Sequence, residues 1–110
     1  MIETDLLTAL KTVCSQVYPI FMPESTAFPS ITYQVVYDGA NQATNGNLSS
    51  RDVRFQVDIY SKGYGEAKSL KDLVVNEVIG LKGGDISSQD LYEDEQKLFR
   101  QLIDFKIKRT

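Results

Sequence analysis

Asp52-Val53-Arg54-Phe55-Gln56-Val57-Asp58-Ile59 alternates polar and apolar residues without a fault. Successive side chains of a β-strand point to opposite faces. This period of two therefore predicts a half-buried strand, with Val53, Phe55, Val57 and Ile59 inward and Asp52, Arg54, Gln56 and Asp58 outward. Upstream, Ile31, Tyr33, Val35 and Tyr37 point one way, and Thr32, Gln34 and Asp38 the other. The two strands pair most simply as an antiparallel hairpin. Between them, residues 39–50 are polar and uncharged, with Gly39, Asn45-Gly46 and a single large apolar residue, Leu48. So little apolar surface cannot offset the entropy of ordering, and the segment reads as a long flexible loop with Leu48 as its one anchor.

Helical spacing flanks this hairpin. Leu6, Leu7, Leu10, Val13, Cys14 and Val17 recur every three or four residues behind Thr4 or Asp5 as cap, and Tyr18-Pro19 closes the helix. The segment from Pro19 to Pro29 holds all three prolines and excludes regular helix or a central strand. After Ser61-Lys62-Gly63-Tyr64-Gly65, a second helix shows a stripe of Ala67, Leu70, Val74, Val78 and Leu81, widened by Leu73, Val75 and Ile79. Gly80 and Gly83-Gly84 supply its left-handed end. A short strand is expected around Ile86 to Tyr92, then the acidic turn Glu93-Asp94-Glu95. A last strand runs from about Lys97 to Arg109, with Phe99, Ile103, Phe105 and Ile107 on one face and Leu98, Arg100, Leu102, Asp104, Lys106 and Lys108 on the other.

The order α-β-β-α-β-β predicts an α+β fold: a two-layer sandwich with two helices on one face of a largely antiparallel sheet. The other sheet face is left to solvent or a partner. With 110 residues, the chain is expected to form one domain, 1–110.

Composition narrows the function. Histidine is absent, so Ser-His-Asp and Cys-His catalysis, imidazole metal ligands and an imidazole switch cannot be built within the chain. The single Cys14 excludes an internal disulfide and a Cys-rich zinc site, and its place on an apolar stripe reads as a small buried hydrophobe. The net charge of −3 argues against duplex nucleic acid as a partner. The acidic start, Met1-Ile2-Glu3-Thr4-Asp5, lacks the layout of a signal peptide, and a cytoplasmic protein is expected. The expectation is a protein that is not an enzyme and needs no cofactor.

Glu93, Asp94 and Glu95 offer oxygen ligands for magnesium or calcium, but a calcium-loop pattern is missing and adjacent turn carboxylates are ordinarily just solvated. Lys97, Arg100, Lys106, Lys108 and Arg109 form a basic strip, explained by a lysine-protected edge strand or by an acidic protein neighbour. Arg54 and Asp58 on the hairpin, Arg100 and Lys106 on the last strand, and Asn45 and Leu48 in the loop are the candidate interface residues.

Four pieces in order carry a family likeness: Pro29-Ser30-Ile31-Thr32-Tyr33-Gln34, Arg51 through Ser61, Tyr64-Gly65-Glu66-Ala67-Lys68-Ser69-Leu70, and Ile103-Asp104-Phe105-Lys106-Ile107. Over about residues 18 to 108 the chain resembles the tail completion, or tail terminator, proteins of long-tailed phages and prophages with noncontractile tails. The resemblance implies a structural role. Such proteins form a six-membered ring on the head-proximal end of the tail tube, stop its polymerisation and provide the surface that joins the head. It implies the tail tube protein, a head completion protein and further copies of the chain as partners. The chain would be found in the host cytoplasm during assembly and then in the virion. The competing reading is a small monomeric α+β binding or regulatory module without catalytic activity.

Overall fold

Strand β3 (Leu48–Ser61) holds the centre of the sheet, and its Val53, Phe55, Val57 and Ile59 are at most 3% exposed. The computed structural model describes residues 2–20, 27–42 and 48–109. β3 is flanked by β2 (Ser30–Gln42) and β5 (Leu98–Arg109), both antiparallel to it. The short β1 (Val17–Pro19) lies parallel to β2, and β4 (Gly83–Glu93) lies antiparallel to β5. The sheet order is therefore β1-β2-β3-β5-β4. Two helices, α1 (Ile2–Val13) and α2 (Tyr64–Gly80), bury Leu6, Leu10, Val74 and Val78 against Ile31, Val53, Phe55, Val57, Ile59, Ile103, Phe105 and Ile107. All these strand residues share one face of the sheet. The expected α+β layering stands, with one further strand ahead of the hairpin.

That further strand corrects the first helix. α1 ends at Val13, and Val17 is a strand residue paired with Ile31. The Gln16 carbonyl accepts from Ile31 N–H at 2.8 Å, and Tyr33 O accepts from Ile20 N–H at 2.8 Å. Val17 continued the helical spacing by chance, and a β-branched residue is as content in a strand. Thr4 and Asp5 lie inside the first turn rather than ahead of it. β1 stops at Ile20, whose φ of 67° breaks the extended path. Cys14 is buried, as expected, with its thiol 3.3 Å from the Pro29 carbonyl.

The hairpin differs in two ways. A bulge between Val35 and Tyr37 inserts Val36, so Tyr37 pairs with Arg54 and the alternation of Ile31, Tyr33 and Val35 does not extend to it. The expected loop over 39–50 is mostly strand: Gly39 pairs with Asp52, Ala40 with Arg51, Asn41 with Ser50 and Gln42 with Leu48.

In α2, Ala67, Val74 and Val78 are buried, whereas Leu73 and Ile79 are about half exposed and do not widen the stripe. Ser61 Oγ accepts from Gly63 N–H at 3.1 Å and donates to Glu66 Oε1 at 2.5 Å, tying the first turn to the end of β3. The left-handed residue after the helix is Lys82, at φ 65°, and not a glycine. Gly83 and Gly84 instead begin β4, which is longer than the short strand the sequence suggests. The strongest correction concerns β5, which is an interior strand between β3 and β4 and not a protected edge.

Candidate assembly interface

The face of the sheet away from the helices is built by residues that alternate with the core. On β3 these are Arg54, Gln56, Asp58 and Tyr60; on β5 they are Arg100, Leu102, Asp104 and Lys106. Register sets Arg54 beside Lys106, Gln56 beside Asp104, Asp58 beside Leu102 and Tyr60 beside Arg100. Arg54, Asp58, Arg100 and Lys106, read from the sequence as parts of two patches, therefore form one surface. Cross-strand neighbours on one face lie close enough for their side chains to interact.

The charges of this surface are already matched within the chain. Arg100 makes ion pairs with Asp58 at 3.1 Å and with Glu93 at 3.0 Å, and its guanidinium lies 5.6 Å from the Tyr60 ring centre. Gln56 Nε2 donates to the second Asp58 oxygen at 3.1 Å. These partners explain how Asp58 tolerates being only 6% exposed on a strand position that points away from the core. Burial opposes the Arg100 charge, but the carboxylates of Asp58 and Glu93 outweigh it and hold the guanidinium above its ordinary value. Tyr60 shifts upward because burial disfavours its phenolate. Further along, Arg54 is paired with Asp104 and reaches Asp85 at 3.6 Å, and Lys106 reaches the same Asp85 at 3.5 Å.

Of the basic strip, Arg100 and Lys106 are thus paired with acids from β3 and β4. Sequence reasoning gave Asp85 and Asp104 no role and weighed Glu93 only as a metal ligand, not as a partner of Arg100. Only the strand order, with β4 beside β5, brings Asp85 and Glu93 into reach, and no local spacing announces it. Of the acidic turn, Glu93 is held by Arg100, while Asp94 and Glu95 lie exposed in the turn. Among the described residues, no three Cys, Asp or Glu side chains converge as metal ligands. Leu48 is described at its backbone, paired with Gln42, and Asn45 lies outside the described residues.

A second cluster sits where β4 meets the start of α2. The Tyr64 hydroxyl donates to Asp90 at 2.9 Å, and Lys68 makes an ion pair with Asp90 at 3.3 Å. Tyr64 and Tyr92 both meet the Phe99 ring edge-on or tilted, at 5.6 and 5.0 Å. The adjacent Gln101 amide, the Tyr64 hydroxyl and Lys68 hold the Asp90 carboxyl below its ordinary value. This is a surface of paired charges and aromatic rings. No described helix is long and apolar enough to cross a membrane.

No curated protein sequence matches the chain. Among solved structures, a chain from the structure titled "Virion of native gene transfer agent (GTA) particle" aligns with a TM-score of 0.67 at 12% identity. The alignment covers 98% of this chain and 90% of that one, and at such identity it shows the shared fold alone. A family model described as Tail completion protein gp17 matches residues 3–108, which is every described element but the first residue of α1 and the last of β5. The chain therefore belongs to the tail completion protein gp17 family.

Proposed function

We propose that the chain is a virion assembly protein that caps the head-proximal end of a phage tail tube as a six-membered ring, stops tube polymerisation and offers the surface to which the head joins. The family match over residues 3–108 carries this reading, and the phage-like particle that contains a chain of the same fold supports it. The physical character of the surface agrees. Its charges are matched pairwise rather than arranged around a reacting centre, which suits a protein whose work is contact. The partners in this reading are other copies of the chain, the tail tube protein and a head completion protein. The place of action is the host cytoplasm during assembly and then the head–tail joint of a long, noncontractile tail.

Electron microscopy of tail tubes polymerised with and without the protein tests the proposal. Tubes of uniform length bearing extra density at one end are expected when it is present, and tubes of unregulated length when it is omitted. Tubes whose lengths and ends do not respond to the protein would overturn the reading.

A further inference from the structure

Among the described residues, both edges of the sheet have strand backbone with no ladder partner on the outer side. β4 lies at one edge along its eleven residues. At the other edge β1 pairs only with Ile31, Thr32 and Tyr33, so among the described residues nothing pairs with β2 from Gln34 to Gln42 on that side. Open edges present unpaired N–H and C=O groups, and lysine and proline are two of the devices, beside bulges and other charges, by which proteins blunt them. Neither Gln34–Gln42 nor Gly83–Glu93 contains either residue. The free part of β2 begins at a cleft of about 360 Å³ lined by Pro19, Ile20, Tyr33, Gln34 and Val35. Ile20 and Val35, which line it, are 69% and 37% exposed, and Val36, next along β2, is 45% exposed.

We infer that the β4 edge of one copy pairs with the Gln34–Asp38 edge of β2 in a second copy, head to tail. This rests on the ring reading and names the surface that closes the ring. Strand direction carries the inference. Three antiparallel steps separate β2 from β4, so the two run in opposite directions. Copies arranged around an axis keep the same orientation along it. The β4 of one copy then meets the β2 of the next as an antiparallel pair, continuing the pattern of the sheet. Two different edges in contact make a heterologous interface, the kind that generates rings.

The irregularities match as well. The bulge at Val36 lies between the rungs of Phe55 and Arg54, which continue across β5 at Phe105 and Lys106. The irregularity of β4, between Gly84 and Ser87, falls on the same rungs. A level approach of two copies sets one bulge against the other and Gln34 opposite Ser87. Charge does not oppose this approach. Asp85, Asp90 and Glu93, the acids of β4, are each paired within their own subunit. The facing stretch of β2 carries only Asp38.

Engineered cysteines test the pairing, and the buried Cys14 leaves the background unreactive. Gln34→Cys protein is mixed with Ser87→Cys protein, or with Gln89→Cys protein to allow a two-residue stagger, then oxidised at high concentration with and without tail tubes. Mixed dimers should be the main disulfide product, and the Gln34→Cys/Ser87→Cys double variant should give a ladder of closed multimers. Self-linked Ser87→Cys dimers, the mark of a two-fold β4–β4 contact, would overturn the inference. So would the lack of any mixed dimer in both conditions. Capping of tubes by the wild type is scored separately. Capping without mixed dimers removes the edge pairing alone, and mixed dimers without capping remove the terminator reading alone.

Discussion

A methyl group added at Gly83 would overlap Val78 Cγ1 and lie 2.9 Å from the Val78 carbonyl oxygen, inside the seam between α2 and the start of β4. The same group at Gly84 meets nothing within 4 Å. Gly83→Ala should therefore cost about 2–3 kcal/mol, as overpacked sites do, while Gly84→Ala should stay within about 0.5 kcal/mol of the wild type. Urea midpoints of the two variants check the contrast. Arg100 and Asp58 make a second local case. Arg100→Met leaves the Asp58 carboxylate, 6% exposed, without its cation and should cost about 3 kcal/mol. Adding Asp58→Asn to it should recover much of that loss, because the stranded charge is then gone. A double-mutant cycle by denaturant unfolding measures the coupling. Tyr60, beside Arg100, gives a pH signature. Burial, opposed by Arg100 and reinforced by Asp58 and Glu93, raises its phenol above 10.0 in the fold. The neutral form is the one the fold favours, so this contribution is complete below pH 10 and is lost as pH rises through the folded value. Above pH 10 the melting temperature of the wild type should fall more steeply than that of Tyr60→Phe.

Phe55 lies in the central strand with its ring 5.6 Å from that of Phe105, and both are fully buried. Phe55→Ala should cost about 3–5 kcal/mol in a denaturant titration, and a loss below about 1 kcal/mol would contradict the register of β3. Burial on one face is what made this element legible. Where a strand is half buried, the period of two is written into its residue types, as in Val53 to Ile59. Where a strand's residues do not alternate, residue types are mute. Gly39 to Gln42 and Leu48 to Ser50 extend the hairpin through ladder pairing, and their polar, glycine- and asparagine-containing sequence looks like loop. Tyr37 was misplaced because the bulge at Val36 shifts the alternation by one, and nothing local marks it. β1 was hidden by its length of three residues and by a helical coincidence at Val17. For the candidate interface, the outward direction of Arg54 and Asp58 was readable from alternation. That they join Arg100 and Lys106 on one surface, with their charges matched, depends on β5 lying between β3 and β4. Strand order of that kind is a property of the whole sheet.

The molecule measures 53 × 24 × 23 Å, and its radius of gyration of 15.1 Å exceeds the roughly 13 Å of a compact chain of this length. The β2–β3 hairpin accounts for this shape. Its rungs at Asn41–Ser50 and Gln42–Leu48 lie beyond the last pairing of β5, Arg109 with Arg51. Beyond that point the sheet is narrowed to the β2–β3 ladder. In the proposed role, this arm is the part of the chain placed to reach a tail tube or a neighbouring copy. Replacing residues 40–51 with Asn-Gly leaves Gly39 and Asp52 as the closing pair and supplies a sequence suited to a two-residue hairpin turn. The variant should fold with its melting temperature changed by no more than a few degrees, since closing a shorter loop offsets the lost ladder pairs. It should fail to terminate tubes or to complete particles. Circular dichroism with a thermal scan establishes the fold, and tube length by electron microscopy together with plaque counts in a complementation assay reads the function. Full complementation by this variant would assign the assembly contacts to the body of the sheet and leave the arm without a role in tail completion.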